Sequence, residues 1–234
     1  MNTILHKAHE RGRGDYGWLN TRYSFSFANW YNKDRMGFGA LRVLNDDRIA
    51  PGTGFGTHAH ENMEIITIVT SGSVTHTDSM GNTGTVQGGE VQVMSAGTGV
   101  EHSEYNDSPD EELALFQLWI QTREDNLSPR YEQKSFVSAR PKERTLLVSP
   151  DARDGSLRIQ QDAFISTLTL SAGASHTYTC MQEGNGVYVF VRTGSVTIGT
   201  ETIYERDALG VWDTDEFTLT GEPGSEVLLI EVPV

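Results

Sequence analysis

The chain of 234 residues is long enough for one large domain or two small ones, and either can bury a hydrophobic core. Acidic residues outnumber basic residues 32 to 18, which gives a formal net charge of −14. This charge disfavours nucleic acid and anionic membrane surfaces as partners, and no segment approaches the roughly 20 apolar residues of a membrane span. A single cysteine excludes an internal disulfide, and the first residues lack the apolar segment of a signal peptide. We therefore expect a soluble, cytoplasmic protein.

The hydrophobic pattern predicts an all-β protein, because short runs rich in Val, Ile, Thr and aromatic residues recur about every ten residues. The segment 23–27 alternates strictly between apolar and polar side chains and predicts a half-buried strand. Denser apolar runs predict strands that are buried on both faces, at 65–69, 116–120, 188–191 and 227–232. Strands of this length and spacing favour a sandwich or barrel such as a jelly roll.

A weak internal repeat suggests that the chain has two similar halves. The segment 70–75 (TSGSVT) resembles the segment 192–197 (RTGSVT), and each half ends in one of the apolar runs. A charged stretch at 121–144, which contains Pro129 and Pro141, is the natural linker. We place an N-terminal domain at 1–135 and a C-terminal domain at 136–234.

Two pairs of residues carry the pattern of a metal site. His58 and His60 follow the glycine-rich segment 52–57, and His102 and Glu104 occur later in the chain with the same spacing. Residues two apart on a strand face the same side, so each pair projects toward one face of a sheet. On neighbouring strands, three imidazoles and one carboxylate suit Fe(II), Mn(II), Ni(II), Co(II), Cu(II) or Zn(II). Four protein ligands leave open coordination positions, as catalysis requires.

Other conspicuous residues have simpler structural interpretations. His76 alternates with threonines on a predicted hairpin, so we expect it to be exposed. Cys180 has no adjoining base and is expected to be a buried, unreactive thiol. The four tryptophans are expected to fill the core; they are Trp18, Trp30, Trp119 and Trp212.

The histidine segments resemble the two cupin motifs, and more closely those of the pirin family of bicupins. The first motif is matched by Gly52, His58, His60 and Glu64. The second is matched, with a longer spacer before its histidine, by Gly89, Gly97, His102 and Asn106. Further similarity to bacterial pirin-like proteins extends along the chain, at 24–27, 41–47, 94–99, 103–106 and 149–156.

The resemblance implies a bicupin of two jelly-roll barrels that holds one divalent metal ion, with Fe(II) as the expected ion. It implies that His58, His60, His102 and Glu104 bind the metal, and that Glu64 supports these ligands without binding it. Tyr105, beside Glu104, is expected at the site entrance. Ala59 and Glu61 stand where the family often has proline and a basic residue, which changes the charge at the rim.

The C-terminal half is expected to lack a metal, as it does in pirins. The repeat aligns the four ligand positions with residues that form no such site, namely Cys180, Gln182, Leu219 and Gly221.

Bacterial pirin-like proteins imply quercetin 2,3-dioxygenase activity, which is the oxidative opening of a flavonol ring by O₂. The expected partners are therefore a flavonol-like aromatic substrate and O₂, and we expect Glu104 to act as metal ligand and as the base for the flavonol hydroxyl. Eukaryotic pirins imply an alternative, a metal-binding regulatory protein that acts through protein–protein contacts. A substrate-sized cavity over the metal would favour the enzyme, whereas an exposed patch beside it would favour the regulator. A metal-dependent isomerase is chemically allowed, but nothing in the sequence selects it.

Overall fold

The computed structural model describes residues 1–138, 143–171 and 175–234. These residues form mainly β-strands, and the helices among them are short 3₁₀ turns at Ala8–Glu10 and Arg153–Gly155. Within the same ranges, no helix has the length and hydropathy needed to cross a membrane. The prediction of an all-β protein is confirmed.

The strands are numbered in chain order. Those of the first half are β1 (Asn2–His6), β2 (Gly12–Asp15), β3 (Leu19–Tyr23), β4 (Leu41–Ile49), β5 (Thr53–His60), β6 (Met63–Ser71), β7 (Ser73–Asp78), β8 (Thr83–Gln87), β9 (Glu90–Ser95), β10 (Val100–Asn106), β11 (Leu113–Gln121) and β12 (Arg130–Ser135). Those of the second half are β13 (Arg144–Ser149), β14 (Leu157–Arg158), β15 (Phe164–Thr169), β16 (Ser175–Thr179), β17 (Asn185–Thr193), β18 (Ser195–Ile198), β19 (Glu201–Tyr204), β20 (Ala208–Trp212), β21 (Glu216–Gly221) and β22 (Glu226–Pro233).

Each half packs a seven-stranded sheet against a four-stranded sheet. The N-terminal sheets have the strand orders β12-β9-β6-β11-β4-β3-β2 and β5-β10-β7-β8. The C-terminal sheets have the orders β1-β20-β17-β22-β15-β13-β14 and β16-β21-β18-β19. Apolar side chains from facing sheets fill each sandwich, as where Val69 and Leu115 pack with Val74 and Val86. Two such sandwiches form the jelly-roll bicupin that we expected.

The two halves pack against each other through their larger sheets. One apolar cluster contains Ile66 and Phe116 of the first half together with Phe190 and Ile230 of the second. The rings of Phe116 and Phe190 lie 5.5 Å apart, edge to face. These strands are buried on both faces, which explains their nearly continuous apolar sequences. In addition, β1 pairs with β20, so the first strand of the chain extends the sheet of the second half.

The internal repeat corresponds to a shared hairpin. Gly72 joins β6 to β7, and Gly194 joins β17 to β18 at the equivalent place in the second half. Their φ angles are 72° and 77°, in the left-handed region that favours glycine. The matching TGSVT and SGSVT letters therefore mark the same turn in both halves.

The expected strand at 23–27 is wrong. Strand β3 ends at Tyr23, and the next three side chains are all buried instead of alternating. The chain leaves the sheet because Ser26 is held by a loop: its N–H donates to the carbonyl of Arg35 and its hydroxyl to the carbonyl of Asn32. An alternating apolar and polar sequence can thus occur outside a strand, where a serine such as Ser26 binds a neighbouring loop.

The expected linker at 121–144 also contains regular structure. Strand β12 lies inside it and pairs antiparallel with β9, at the edge of the larger N-terminal sheet. Its charged sequence is consistent with an edge strand that faces solvent. Pro141 lies outside the described residues.

Candidate metal centre

Two antiparallel strands bring the three expected histidines together. His58 on β5 lies directly opposite His102 on β10, and His60 lies two residues further along the same face. The ring centroids are 4.8 Å apart for His58 and His60, 4.5 Å for His58 and His102, and 5.0 Å for His60 and His102. The three residues form a group whose ring nitrogens could bind one metal ion.

The hydrogen bonds of these rings leave nitrogen lone pairs available to a metal. Nδ1 of His58 lies 2.8 Å from the carbonyl oxygen of Gly56, so Nδ1 carries a hydrogen and Nε2 is the nitrogen that can offer a lone pair to a metal. Nε2 of His102 is buried and has no hydrogen-bond partner. A buried polar atom is rarely left unpaired. The orphaned nitrogen, in a cluster of three imidazoles, therefore fits a metal ligand.

Burial also keeps His60 and His102 neutral. It lowers the pKa of His60 to about 4 and that of His102 to about 3, and the neighbouring histidines add to the effect by charge repulsion. Neutral imidazoles keep the lone pairs that a metal ion needs at neutral pH. His60 is also held edge-on by the indole of Trp119, with ring centroids 4.8 Å apart.

Glu104 is buried and held by three side chains from the larger sheet. Its Oε1 accepts hydrogen bonds from Nε2 of Gln92 at 2.6 Å and from Oγ1 of Thr67 at 3.2 Å. Its Oε2 accepts one from Nε2 of Gln117 at 2.8 Å. A bulge between His102 and Glu104 shifts the pairing of β10 with β5. Glu104 therefore faces the interior, but it forms its ligand group with His102 and His76 rather than with the other two histidines.

The expectation that His76 is exposed is wrong. His76 is fully buried on β7 and stacks on Tyr131, with ring centroids 4.4 Å apart. Its Nε2 lies 3.0 Å from Oδ2 of Asp78, and its Nδ1 lies 3.5 Å from Nδ1 of His102. The buried residues of β7 are Val74, His76 and Asp78, so the strand alternates as predicted, but the face that carries His76 is the buried one.

Glu64 and Tyr105 do not lie where their expected roles require. Glu64 and Thr67 are both on β6 but point to opposite faces of the sheet. Oε2 of Glu64 accepts hydrogen bonds from the hydroxyl of Ser95 and from the backbone N–H of Gln160. It therefore joins the two halves of the chain rather than supporting the histidines, and burial raises its pKa. Tyr105 follows Glu104 on β10, so it points to the other face of the smaller sheet and is 39% exposed.

A cavity of about 400 Å³ adjoins the site, with His58 and Glu104 on its wall. Much of its remaining surface is aromatic, from Trp18, Phe27, Phe55 and Trp119. Trp18 and Trp119 pack against the core, as expected, and in addition line this cavity. The role in the cavity could not be predicted, because a tryptophan in an apolar run has the same sequence pattern in both settings.

The C-terminal sandwich has a different interior. Strand β16 ends at Thr179, so Cys180 and Gln182 lie beyond the strand that corresponds to β5. On that strand His176 lies opposite Leu219, and the buried rings of Tyr178 and Phe217 lie 5.7 Å apart. Among the described residues, neither group suited to a metal includes a residue of this half. Cys180 is partly buried rather than fully buried as expected, and burial raises the pKa of its thiol to about 11, which fits an unreactive thiol.

Comparison with known proteins agrees with this architecture. Residues 5–120 match the Pirin family, and residues 146–232 match the quercetinase C-terminal cupin domain. The chain is 46% identical over 229 residues to quercetin 2,3-dioxygenase of Escherichia coli K12, covering 98% of both chains. Its fold is similar to the crystal structure of YhhW from Escherichia coli, with a TM-score of 0.94, 45% identity, and coverage of 100% of this chain and 99% of the other. The crystal structure of bacterial pirin YhhW from Escherichia coli in complex with nickel(II) is similar as well, with a TM-score of 0.93, 44% identity and coverage of 99% of each chain. On this evidence, the chain belongs to the pirin family.

Proposed function

We propose that this protein is a metal-dependent dioxygenase that opens the ring of a flavonol such as quercetin with O₂. The observation that carries the proposal is the cluster of three histidines beside an aromatic-lined cavity of about 400 Å³. A cavity of this size is within the range of small-molecule sites. The full-length similarity to a quercetin 2,3-dioxygenase supports the same substrate class.

His58, His60, His102 and Glu104 would hold one divalent transition-metal ion, which we propose to be Fe(II). When bound, such an ion supplies Lewis-acid charge that favours the deprotonated form of a hydroxyl group and a common place for substrate and O₂. Three imidazoles and one carboxylate suit several ions of this series. The related bacterial pirin YhhW has been crystallised with nickel(II).

Glu104 is the proposed base for the flavonol hydroxyl. Its Oε1 already accepts two hydrogen bonds, whereas Oε2 accepts one from Gln117 and keeps a lone pair. The three donors, Thr67, Gln92 and Gln117, form a clamp around this carboxylate. The clamp fixes the direction of the carboxylate before substrate enters, which reduces the reorganisation needed for proton transfer. The rings of Trp18 and Phe55 would orient a planar substrate and exclude water from Glu104.

We further propose a division of labour between the halves. Residues 1–135 supply the site, and residues 136–234 form a metal-free barrel whose interior is filled by side chains such as Tyr178 and Phe217. We propose the cytoplasm as the location, because a single cysteine suits a reducing compartment. A regulatory role through protein contacts is the alternative, and the cavity beside Glu104 favours the enzyme.

The test is oxygen uptake by the anaerobically purified, Fe(II)-loaded protein when quercetin is added. We expect uptake to accompany loss of flavonol absorbance in the wild type, and His102→Ala to lose both metal and turnover. His9→Ala, at an exposed 3₁₀ turn, is the matched control and should behave as wild type. A metal-free His102→Ala protein that still consumed oxygen would refute the mechanism. A filled metal site without uptake would favour the regulatory role.

A further inference from the structure

One wall of the cavity contains buried polar groups that lack partners. It is formed by β3 and β4, where Thr21 lies opposite Asp47 and Tyr23 opposite Asn45. Asp47 is 3% exposed and Asn45 is 4% exposed, and Oδ1 of each has no hydrogen-bond partner. Leaving buried acceptors unpaired is unfavourable, so this wall is suited to a ligand that supplies hydrogen-bond donors.

The neighbouring strands of the same sheet use their polar side chains differently. Gln92 on β9, Thr67 on β6 and Gln117 on β11 all donate to Glu104. Strand β4 is the next strand after β11, so Asp47 lies at least one strand beyond this clamp. Asn45 lies directly opposite Gln117, and strands are about 4.8 Å apart, so the open acceptors begin on the order of 5 Å from the clamp. A ligand that contacts both Glu104 and Asp47 therefore needs polar groups at two separate positions.

Aromatic side chains form much of the rest of the cavity wall. Trp18 and Phe55 meet edge to face at 5.1 Å, and Phe27 and Trp119 do so at 5.2 Å. Such surfaces favour a flat aromatic body, whereas the acceptors on the β3–β4 wall favour donors at its edge. The cavity therefore matches a flat aromatic compound that carries hydroxyl groups at a second position, away from the group that meets Glu104.

We infer that Asp47 and Asn45 form a hydroxyl-recognition subsite, which selects flavonols that carry phenolic hydroxyls on their pendant phenyl ring. The inference rests on the proposed function, because it assumes that a flavonol places its reacting ring beside Glu104. A phenol O–H donates to the Asp47 carboxyl group or to the Asn45 amide oxygen, and each such bond removes an unpaired buried acceptor. A phenyl ring without hydroxyls leaves those acceptors unpaired, so it binds less tightly.

The experiment measures equilibrium binding to the metal-loaded protein by quenching of tryptophan fluorescence. The probes are quercetin, kaempferol and galangin, whose pendant rings carry two, one and no hydroxyls. We expect the wild type to bind quercetin about tenfold more tightly than galangin, because galangin leaves the buried acceptors unpaired. Asp47→Leu should bring the two dissociation constants within about twofold of each other by weakening quercetin binding alone.

Asp47→Asn is the matched control, because it keeps an acceptor oxygen in a side chain of the same shape and should keep most of the discrimination. Equal binding of the three flavonols by the wild type would mean that the wall holds water only, and would overturn the inference. Equal weakening of all three by Asp47→Leu, with an unchanged thermal midpoint, would also overturn it. Binding is measured without turnover, so discrimination without oxygen uptake would contradict the proposed function and leave the subsite intact.

Discussion

A hydrogen-bonded chain behind His102 leads to a prediction about metal affinity. At its far end Asp78 accepts hydrogen bonds at Oδ1 from the backbone N–H groups of Met80, at 2.9 Å, and Asn82, at 3.0 Å. The Asn82 amide adds a further donor to Oδ2 at 2.9 Å. Several donors to one carboxyl group favour its ionised form, so Asp78 must act as the acceptor toward Nε2 of His76. His76 then accepts at Nδ1 from Nδ1 of His102, which leaves Nε2 of His102 unprotonated.

Replacing Asp78 by asparagine should reverse this chain. The two backbone donors hold the amide oxygen in the place of Oδ1, so the amide nitrogen takes the place of Oδ2 and donates to His76. His76 then carries its hydrogen on Nδ1 and donates to His102, whose own hydrogen moves to Nε2. An imidazole nitrogen that carries a hydrogen cannot bind a metal ion. Loss of a partner behind a metal ligand costs roughly 10- to 100-fold in affinity, or about 1.4 to 2.7 kcal/mol.

Competition with a chromogenic chelator measures the affinity, and ¹⁵N NMR of the histidine rings in the metal-free protein reports which nitrogen of His102 carries the hydrogen. Asn82→Ala is the control, since it removes one donor to Asp78 but leaves the carboxylate as acceptor. We expect this variant to stay within about threefold of wild-type affinity, because the ring behind the metal keeps its partner. Wild-type metal affinity in Asp78→Asn would refute the argument. A loss of affinity in Asn82→Ala as large as that in Asp78→Asn would also refute it, because the effect would then come from disturbing the turn at residues 78–82 and not from the imidazole hydrogen.

Three further predictions concern stability. Burial raises the pKa of Asp47 from 3.8 to about 7 in the folded protein. The contribution of this group to stability is therefore fully present below pH 3.8, its value in the unfolded chain, and is lost as the pH rises through about 7 and the buried carboxyl group ionises. Asp47→Asn should therefore raise the free energy of unfolding of the metal-free protein at pH 8 by at most about 4 kcal/mol, with little change near pH 3, as urea denaturation at both pH values would show. Phe116→Ala removes a ring packed between the two halves and should cost about 3 to 5 kcal/mol by the same assay; a loss under 1 kcal/mol would contradict the packing. Gly194→Ala should lower the thermal midpoint more than Gly184→Ala. Both glycines have a positive φ, but an added Cβ would overlap Ser225 at Gly194, whereas at Gly184 it would have no other atom within 4 Å.

The three histidines could be predicted from sequence because their arrangement depends on local geometry. Spacing of two on a strand fixes a common face, and the only long-range requirement was that β5 and β10 be neighbours. The residues around Glu104 could not be predicted in this way, because Thr67, Gln92 and Gln117 come from three strands whose order follows from the whole fold. A usable signal was present, since each is a polar residue in a mainly apolar strand.

The faces of strands and the fate of large side chains were harder to predict. His76 was assigned to the wrong face because a strand with polar residues on both faces gives a weak register signal, and Thr75 and Thr77 are as compatible with the interior as histidine. The segment 23–27 was misread for a related reason. Ser26 binds the loop that includes Asn32, and sequence periodicity does not record a partner in a loop.

The two halves show how one architecture produces either a cavity or a packed core. In the N-terminal half, β5 carries Gly54 and Gly56, and a Cβ at Gly54 would overlap the backbone of Glu104. These small residues let β5 and β10 approach closely while the space beside His58 stays open. In the C-terminal half the corresponding strand carries Tyr178, whose buried ring packs on Phe217 and whose hydroxyl donates to Glu231 at 2.8 Å. The packed second barrel contributes apolar burial to the stability of the fold, which offsets the unfavourable free energy of the unpaired polar groups in the cavity.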